Sequence, residues 1–389
     1  MNTQLNLPKR KLVSVRRISS INKIPGYNSR LFHIDGWTVI DNDRDHKVGD
    51  LVVFFEIDCF IPIEGRFWDL AAGKSCSFNG KTGKHVKSWW LKGHLCQGLI
   101  YPLRHFNDIW AEYQEECAAV GLEQATENLL SRSYAERLGV EKWELDDKNA
   151  GLDNLGEPPG FLYMPAWWRI QDIDKKAFSH WRNKVWQVTE KLDGLTMTVY
   201  RVAKASNWGE QVGALPATAP DTMQDGEFRL GVCDRRRDYV DRPGNVFWET
   251  ARASGVLAKL DRFGISNLAV QGELVGETIL CNTMKYPKGV HEFLVFGIWD
   301  IDAKKYMAPK AAETLCRRLG IKHVPVVDYA PLIKFGNNAS ELLKKAEGLG
   351  QFGGLREGLI FKSLDGVEQF KVISNSWLQM TGKNAGEMW

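Results

Sequence analysis

Apolar residues in the first third of the chain fall in short, nearly alternating runs broken by turn residues, the pattern of half-buried strands. Lys11 to Ile21 is one run, Leu31 to Ile40 a second around Asp35-Gly36, Asp50 to Cys59 a third with Val52, Phe54 and Ile57, and Leu95 to Leu103 a fourth. Four or five strands with this Gly and Pro punctuation predict a small barrel of the oligonucleotide-binding (OB) type. From Asn107 to about Leu145 the spacing turns helical, with Leu129, Leu130, Tyr134, Leu138 and Val140 inward, which predicts a helical appendage. A polar stretch rich in Gly and Pro between Asp146 and Gly160 then reads as a linker. It divides the chain into an expected first domain, 1–150, and a second, 160–389. In the second, apolar runs (Val185–Val188, Leu195–Val202, Phe228–Val232, Leu268–Leu274, Phe293–Ile301, Gly358–Ser363, Gln369–Ile373) alternate with helical segments near Phe247–Phe263, Pro309–Leu319 and Ala339–Leu349. That is an α+β pattern. Ala203 to Gly226, rich in Ala, Gly, Pro and polar residues, predicts an exposed loop.

The length of 389 residues suits two domains, and 44% hydrophobic with 25% charged residues excludes disordered and fibrous classes. The first residues lack an apolar stretch of signal-peptide length, and no run approaches the roughly 18 apolar residues of a membrane span. Seven dispersed cysteines without a C-x-x-C pair fit free thiols in a reducing compartment, so the expectation is a cytoplasmic protein with no membrane partner. The net charge of +3 neither demands nor excludes a polyanion, because the distribution of charge and not its sum steers one.

The sharpest chemical feature is Thr189-Glu190-Lys191-Leu192-Asp193-Gly194, a lysine between acids, closed by glycine and followed by the strand-like Leu195–Val199. Such a lysine serves as a covalent nucleophile once its amine sheds a proton, against an ordinary pKa of about 10.4, helped by nearby cations or desolvation. The same residues also fit a solvated turn. Further on come Asp234-Arg235-Arg236-Arg237-Asp238, an acid inside an apolar strand at Val270-Gln271-Gly272-Glu273-Leu274, an aromatic strand Phe293–Trp299, Glu357–Lys362 and Phe370-Lys371-Val372-Ile373. Each alone has a bland structural explanation.

In this order the segments resemble the motifs of covalent nucleotidyltransferases, the polynucleotide ligases and messenger RNA capping enzymes. The N-terminal segments Lys9–Ser14, Ile24-Pro25-Gly26, Asp35-Gly36-Trp37 and Lys47–Asp58 resemble the N-terminal barrel of ATP-dependent RNA ligases of the Deinococcus and Naegleria type. The implied architecture is α+β: an OB-type barrel with a helical extension, then an ATP-grasp-like nucleotidyltransferase domain of antiparallel sheets and helices. By the resemblance, Lys191 would attack the α-phosphate of ATP and hold AMP as a phosphoramidate. Glu190 and Asp193 would contact adenine and the hydrated metal, Arg235 the ribose and substrate-end phosphate, and Glu273 the ribose hydroxyls. Phe296 would stack on adenine. Glu357 and Asp193 would hold waters on a magnesium or manganese ion, and Lys371, with Lys362 as a second cation, would neutralise the α-phosphate. The sequence departs from the family pattern at Asp234 and Arg236, at Gly297 and at Gln369.

The function this implies is ATP-dependent joining of a 3′-hydroxyl to a 5′-phosphate in RNA, at nicks in duplexes including RNA/DNA hybrids, by a monomer in RNA repair. Arg16, Arg17 and Arg30 are the barrel's candidate phosphate contacts. The rivals are a DNA ligase, a capping guanylyltransferase, and a non-catalytic nucleic-acid-binding protein on a decayed ligase fold.

Overall fold

The computed structural model describes residues 10–43, 45–63, 75–143, 151–165, 167–173, 175–212 and 214–387. The linker residues Asp146–Ala150 lie outside them. Contacts divide the chain into one unit of Met1–Asp146, Gln171–Asp174 and Leu378–Trp389, and a second of Asp147–Ile170 and Lys175–Trp377.

The first unit is the expected small barrel. Val13–Arg17, Leu51–Glu56 and Gly98–Pro102 form one sheet, and Ser20–Lys23, Arg30–Ile34 and Trp37–Asp41 another. The predicted run from Lys11 to Ile21 is two strands because the chain changes sheets in the middle. Ile18 donates its N–H to Asp50 O at 3.0 Å, and Ser19 donates to His33 O at 2.8 Å on the other sheet. Val15, Val53 and Phe55 fill one core with the appendage, while Phe32, Trp37, Val39 and Phe54 fill another, the two faces expected of alternating strands. The helical stretch is also divided: Gly121, at φ 86°, separates Asn107–Val120 from Leu122–Ser131, a conformation that glycine adopts without a Cβ penalty. Beyond Ser131 the chain leaves helix altogether and closes with the short strand Glu141–Lys142.

The second unit holds two sheets. One runs Trp168–Arg169, Gln369–Ile373, Gly358–Ser363, Val185–Lys191, Val326–Pro331, antiparallel except for its first pair. The other centres on Leu195–Ala203, Leu268–Gly276 and His291–Asp300. Its apolar face packs Met197, Val199, Val270 and Val295 against Phe247, Trp248, Ala312 and Leu315 of two helices. Those helices start and stop where their sequence directs. Asn245 caps Val246–Ala253 by accepting from the N–H groups of Phe247 and Trp248, and Pro309 opens a helix that left-handed Gly320 ends. The segment Ala203–Gly226, expected as loop, contains the short helix Asn207–Gln211, capped by Ser206.

Candidate active site

Lys191 ends the strand Val185–Lys191, which pairs antiparallel with Gly358–Ser363 so that Lys191 stands opposite Gly358. This register brings the preceding residue's carboxylate onto the lysine. Nζ of Lys191 donates to Glu357 Oε1 at 2.5 Å, with both side chains largely buried. Burial raises the Glu357 carboxyl above its ordinary value; Lys191 opposes the shift and Asp193 adds to it. Its other oxygen, Oε2, is buried and accepts no hydrogen bond.

The next strand starts two residues after Asp193, and its register sets Thr196 opposite Glu273. Burial pushes Glu273 up to about 7, with Lys191 and Arg235 pulling down and Glu357 and Asp193 pushing up. Residues separated by 166 positions therefore share one electrostatic field. Lys371, on the strand beside Gly358–Ser363, acts on Glu357 as well. Arg235 donates to Thr196 Oγ1 at 3.3 Å and to Pro165 O at 2.7 Å. It is held by Asp234, which accepts from the N–H groups of Arg236 and Arg237 and from the Tyr239 hydroxyl, so the departure at Asp234 builds the turn that presents the arginine.

The remaining acids are engaged by loops. Glu190 accepts the Gln351 N–H on both oxygens at 2.9 and 3.0 Å. Asp193 Oδ2 accepts from the Thr283 hydroxyl at 2.7 Å. A small cleft here is lined by Glu190, Lys191, Asp193, Thr283, Phe352 and Glu357.

Phe296 lies near Leu192 in an apolar cluster with Val275, Leu294 and Val324, its ring 5.1 Å edge-on from Trp167. Lys362 is not brought to Lys191. It stands opposite Gln187, four residues further along the strand pair, or about 13 Å at the usual rise. It is buried, donates to Phe296 O, and lies 5.0 and 5.3 Å from the Phe296 and Trp167 rings; burial lowers its amine to about 7. A neutral-leaning amine under two rings is poorly placed to neutralise a phosphate beside Lys191. Arg16, a candidate phosphate contact, is buried, donating to Ser14 Oγ at 2.9 Å and to Asp172 at 3.0 Å.

Among the described residues no group of three or more His, Cys, Asp or Glu is arranged to cage a metal. The donor set fits a hard cation that keeps most of its waters and leans on Asp193 and the unpartnered Glu357 Oε2.

A lysine on the end of an antiparallel strand, ringed by carboxylates in an α+β unit and accompanied by an OB barrel, defines the ligase class of nucleotidyltransferases. Comparison with known proteins names the family. A family model for RNA ligase matches residues 184–376, and one for an OB-fold domain matches residues 12–103. Among solved structures, a variant Naegleria gruberi RNA ligase with AMP and manganese is 30% identical with a TM-score of 0.76, covering 95% of this chain and 99% of its own. The same enzyme's variant with ATP and manganese (29%, TM-score 0.75, 95% and 99%) and its complex with pyrophosphate (29%, 0.76, 96% and 100%) align similarly. No curated protein sequence matches. The chain belongs to the RNA ligase family and has its fold, an OB-fold unit with an α+β ligase unit.

Proposed function

We propose that this ATP-dependent RNA ligase seals 3′-hydroxyl to 5′-phosphate ends at nicks in RNA duplexes, through AMP carried on Lys191. The observation that carries this reading is the Lys191–Glu357 pair at 2.5 Å with Asp193 and Glu273 in the same field. The amine of Lys191 forms a P–N bond to the α-phosphorus as the bond to the β-phosphate oxygen breaks, pyrophosphate leaving with the electron pair. Before this the Lys191 ammonium passes its proton on, and Glu357 Oε1, which accepts its hydrogen bond, is within reach to take it. Lys371 offsets charge on the α-phosphate. Glu273 accepts from the ribose hydroxyls, Glu190 from adenine once Gln351 releases it, and Phe296 packs on the base. Arg235 reaches the substrate-end phosphate. Asp193 and Glu357 would hold magnesium or manganese through water, and such an ion supplies charge neutralisation at the α-phosphate. AMP then passes to the RNA 5′-phosphate, and the 3′-hydroxyl displaces it. One chain carries both units, so the proposal needs no partner subunit, and sealing of this kind serves RNA repair.

The test is covalent labelling with ATP carrying label at the α-phosphate. Wild type should acquire label in magnesium or manganese, Lys191→Ala should not, and GTP should fail. Labelled protein should then seal nicked duplex RNA. Label on Lys191→Ala, or labelling from GTP alone, would overturn the reading.

A further inference from the structure

The reaction leaves one surface feature of the barrel unit unused, the hairpin of Trp89–Leu91 and His94–Cys96. Its strands pair Trp89 with Cys96, Trp90 with Leu95 and Leu91 with His94. The two-residue turn Lys92-Gly93 has both residues in the left-handed region, φ 48° and 80°, the conformation that matches the twist of a tight hairpin. The return strand is anchored. Leu95 and Cys96 are buried, the Thr38 hydroxyl donates to Leu95 O at 2.6 Å, and the Ile40 N–H donates to Cys96 Sγ at 3.2 Å. The outer strand is therefore held in place while its first residue, Trp89, leaves 43% of its surface open, more than any other tryptophan among the described residues.

Charge decides what such a ring is for. From Cys76 to Asn107 there is no Asp or Glu, while Lys81, Lys84, Lys87, Lys92 and Arg104 fall in that stretch. Lys81 is paired with Glu141. Lys87 and Lys92, two residues before Trp89 and three after it, are both exposed. Asp41 acts on the Cys96 thiol from the adjoining strand, and Arg30 stands opposite it in the register. A protein partner would call for a continuous apolar patch depleted in charge. An exposed indole whose N–H is turned to the Cys96 thiol, with exposed lysines before and after it in the chain, fits a polyanion with flat bases.

We propose that the Trp89 hairpin is a platform on which a base frayed from the nicked RNA duplex stacks, with Lys87 and Lys92 meeting the flanking phosphates. The choice of RNA rests on the ligase reading above; the platform itself rests on the hairpin. Stacking on an aromatic ring tolerates any base, and the phosphate contacts add affinity that salt weakens.

The test uses the full chain and a short fluorescent single-stranded oligoribonucleotide, with binding followed by anisotropy in the absence of ATP. Trp89→Ala should weaken binding at least about fivefold, while Trp89→Phe, which keeps a ring, should stay within about twofold of wild type. Lys87→Gln with Lys92→Asn, the asparagine chosen because it accepts the left-handed turn, should lower the slope of log affinity against log salt by about 1 to 2. Lysyl-AMP formation should be unchanged in all. Wild-type affinity in Trp89→Ala, or equal losses in the alanine and phenylalanine variants, would overturn the proposal. A wild type that forms no lysyl-AMP would instead sink the ligase reading, and the binding series would still judge the hairpin.

Discussion

Thr283 shows what a single hydroxyl does at this site. It donates to Asp193 Oδ2 at 2.7 Å across 90 positions of sequence, fixing the rotamer of a carboxylate proposed to hold metal-bound water. Groups that orient such carboxylates are commonly worth about 10–100-fold in metal affinity. Thr283→Val keeps the shape and removes the donor, so the half-saturating magnesium or manganese concentration for lysyl-AMP formation should rise about tenfold, with little change in rate at saturating metal. An unchanged metal titration would show that Asp193 needs no such support. The lysine motif and the acids at 273 and 357 were legible in the sequence only through the order of segments that resembles ligase motifs, since each alone has a bland explanation. Thr283 and the Gln351 N–H were not, since a loop hydroxyl or a backbone donor leaves no spacing. Trp167 belongs to none of the motifs, and only the structure sets it against Phe296. Lys362 matched its motif, yet its burial, which sets what the amine can do, is a property of the packed sheet.

Strand ends assemble the site, and glycine at one of them controls the approach. Gly194 turns the chain from the lysine strand into Leu195–Ala203, and a Cβ there would meet Leu274 O at 2.5 Å, Glu273 Cγ at 2.8 Å and Val275 Cγ1 at 2.8 Å. All three atoms belong to the packed strand Leu268–Gly276, which cannot retreat without dragging Glu273 with it. Gly194→Ala should therefore destabilise the protein by about 1–3 kcal/mol and slow labelling of Lys191 together. A variant melting and labelling like wild type would mean the strand yields freely. Most strands were legible as apolar runs, and the helices near Phe247 and Pro309 as helical spacing, while the caps Asn245 and Gly320 come from the structure. The breaks at Ile18 and Gly121 were not, because a run that changes sheets keeps its alternation and a left-handed glycine looks like any other. Register was illegible as well, and it is register that sets Glu357 on Lys191.

At the scale of the whole molecule, the composition break at 146–160 marks an expected boundary, but it carries no sign that Gln171–Asp174 contacts the first unit. That attachment rests on charge. Asp172, its side chain 8% exposed, accepts from Arg16, and Arg10 bonds to Glu56 at 2.6 Å in the same buried group. Burial raises the Asp172 carboxyl from 3.8 to about 7, Glu56 adds to the rise and Arg16 opposes it. The folded state thus holds a proton between pH 4 and 7 that the unfolded chain has already released. Stability from this group is full below pH 4 and declines as pH rises to 7, by on the order of 3 kcal/mol. Other carboxylates, such as Glu141 beside Lys81, are shifted down and push the opposite way, so the total curve does not isolate the effect. Asp172→Asn does, because asparagine does not titrate. In urea unfolding at pH 5 and pH 8, the stability of Asp172→Asn relative to wild type should increase with pH. Near pH 5 the two side chains are both neutral and differ least; by pH 8 wild type carries a buried charge that the variant lacks. A relative stability that is flat or falls with pH would show that Arg16 holds Asp172 ionised throughout, and that an ordinary ion pair fastens the segment to the barrel.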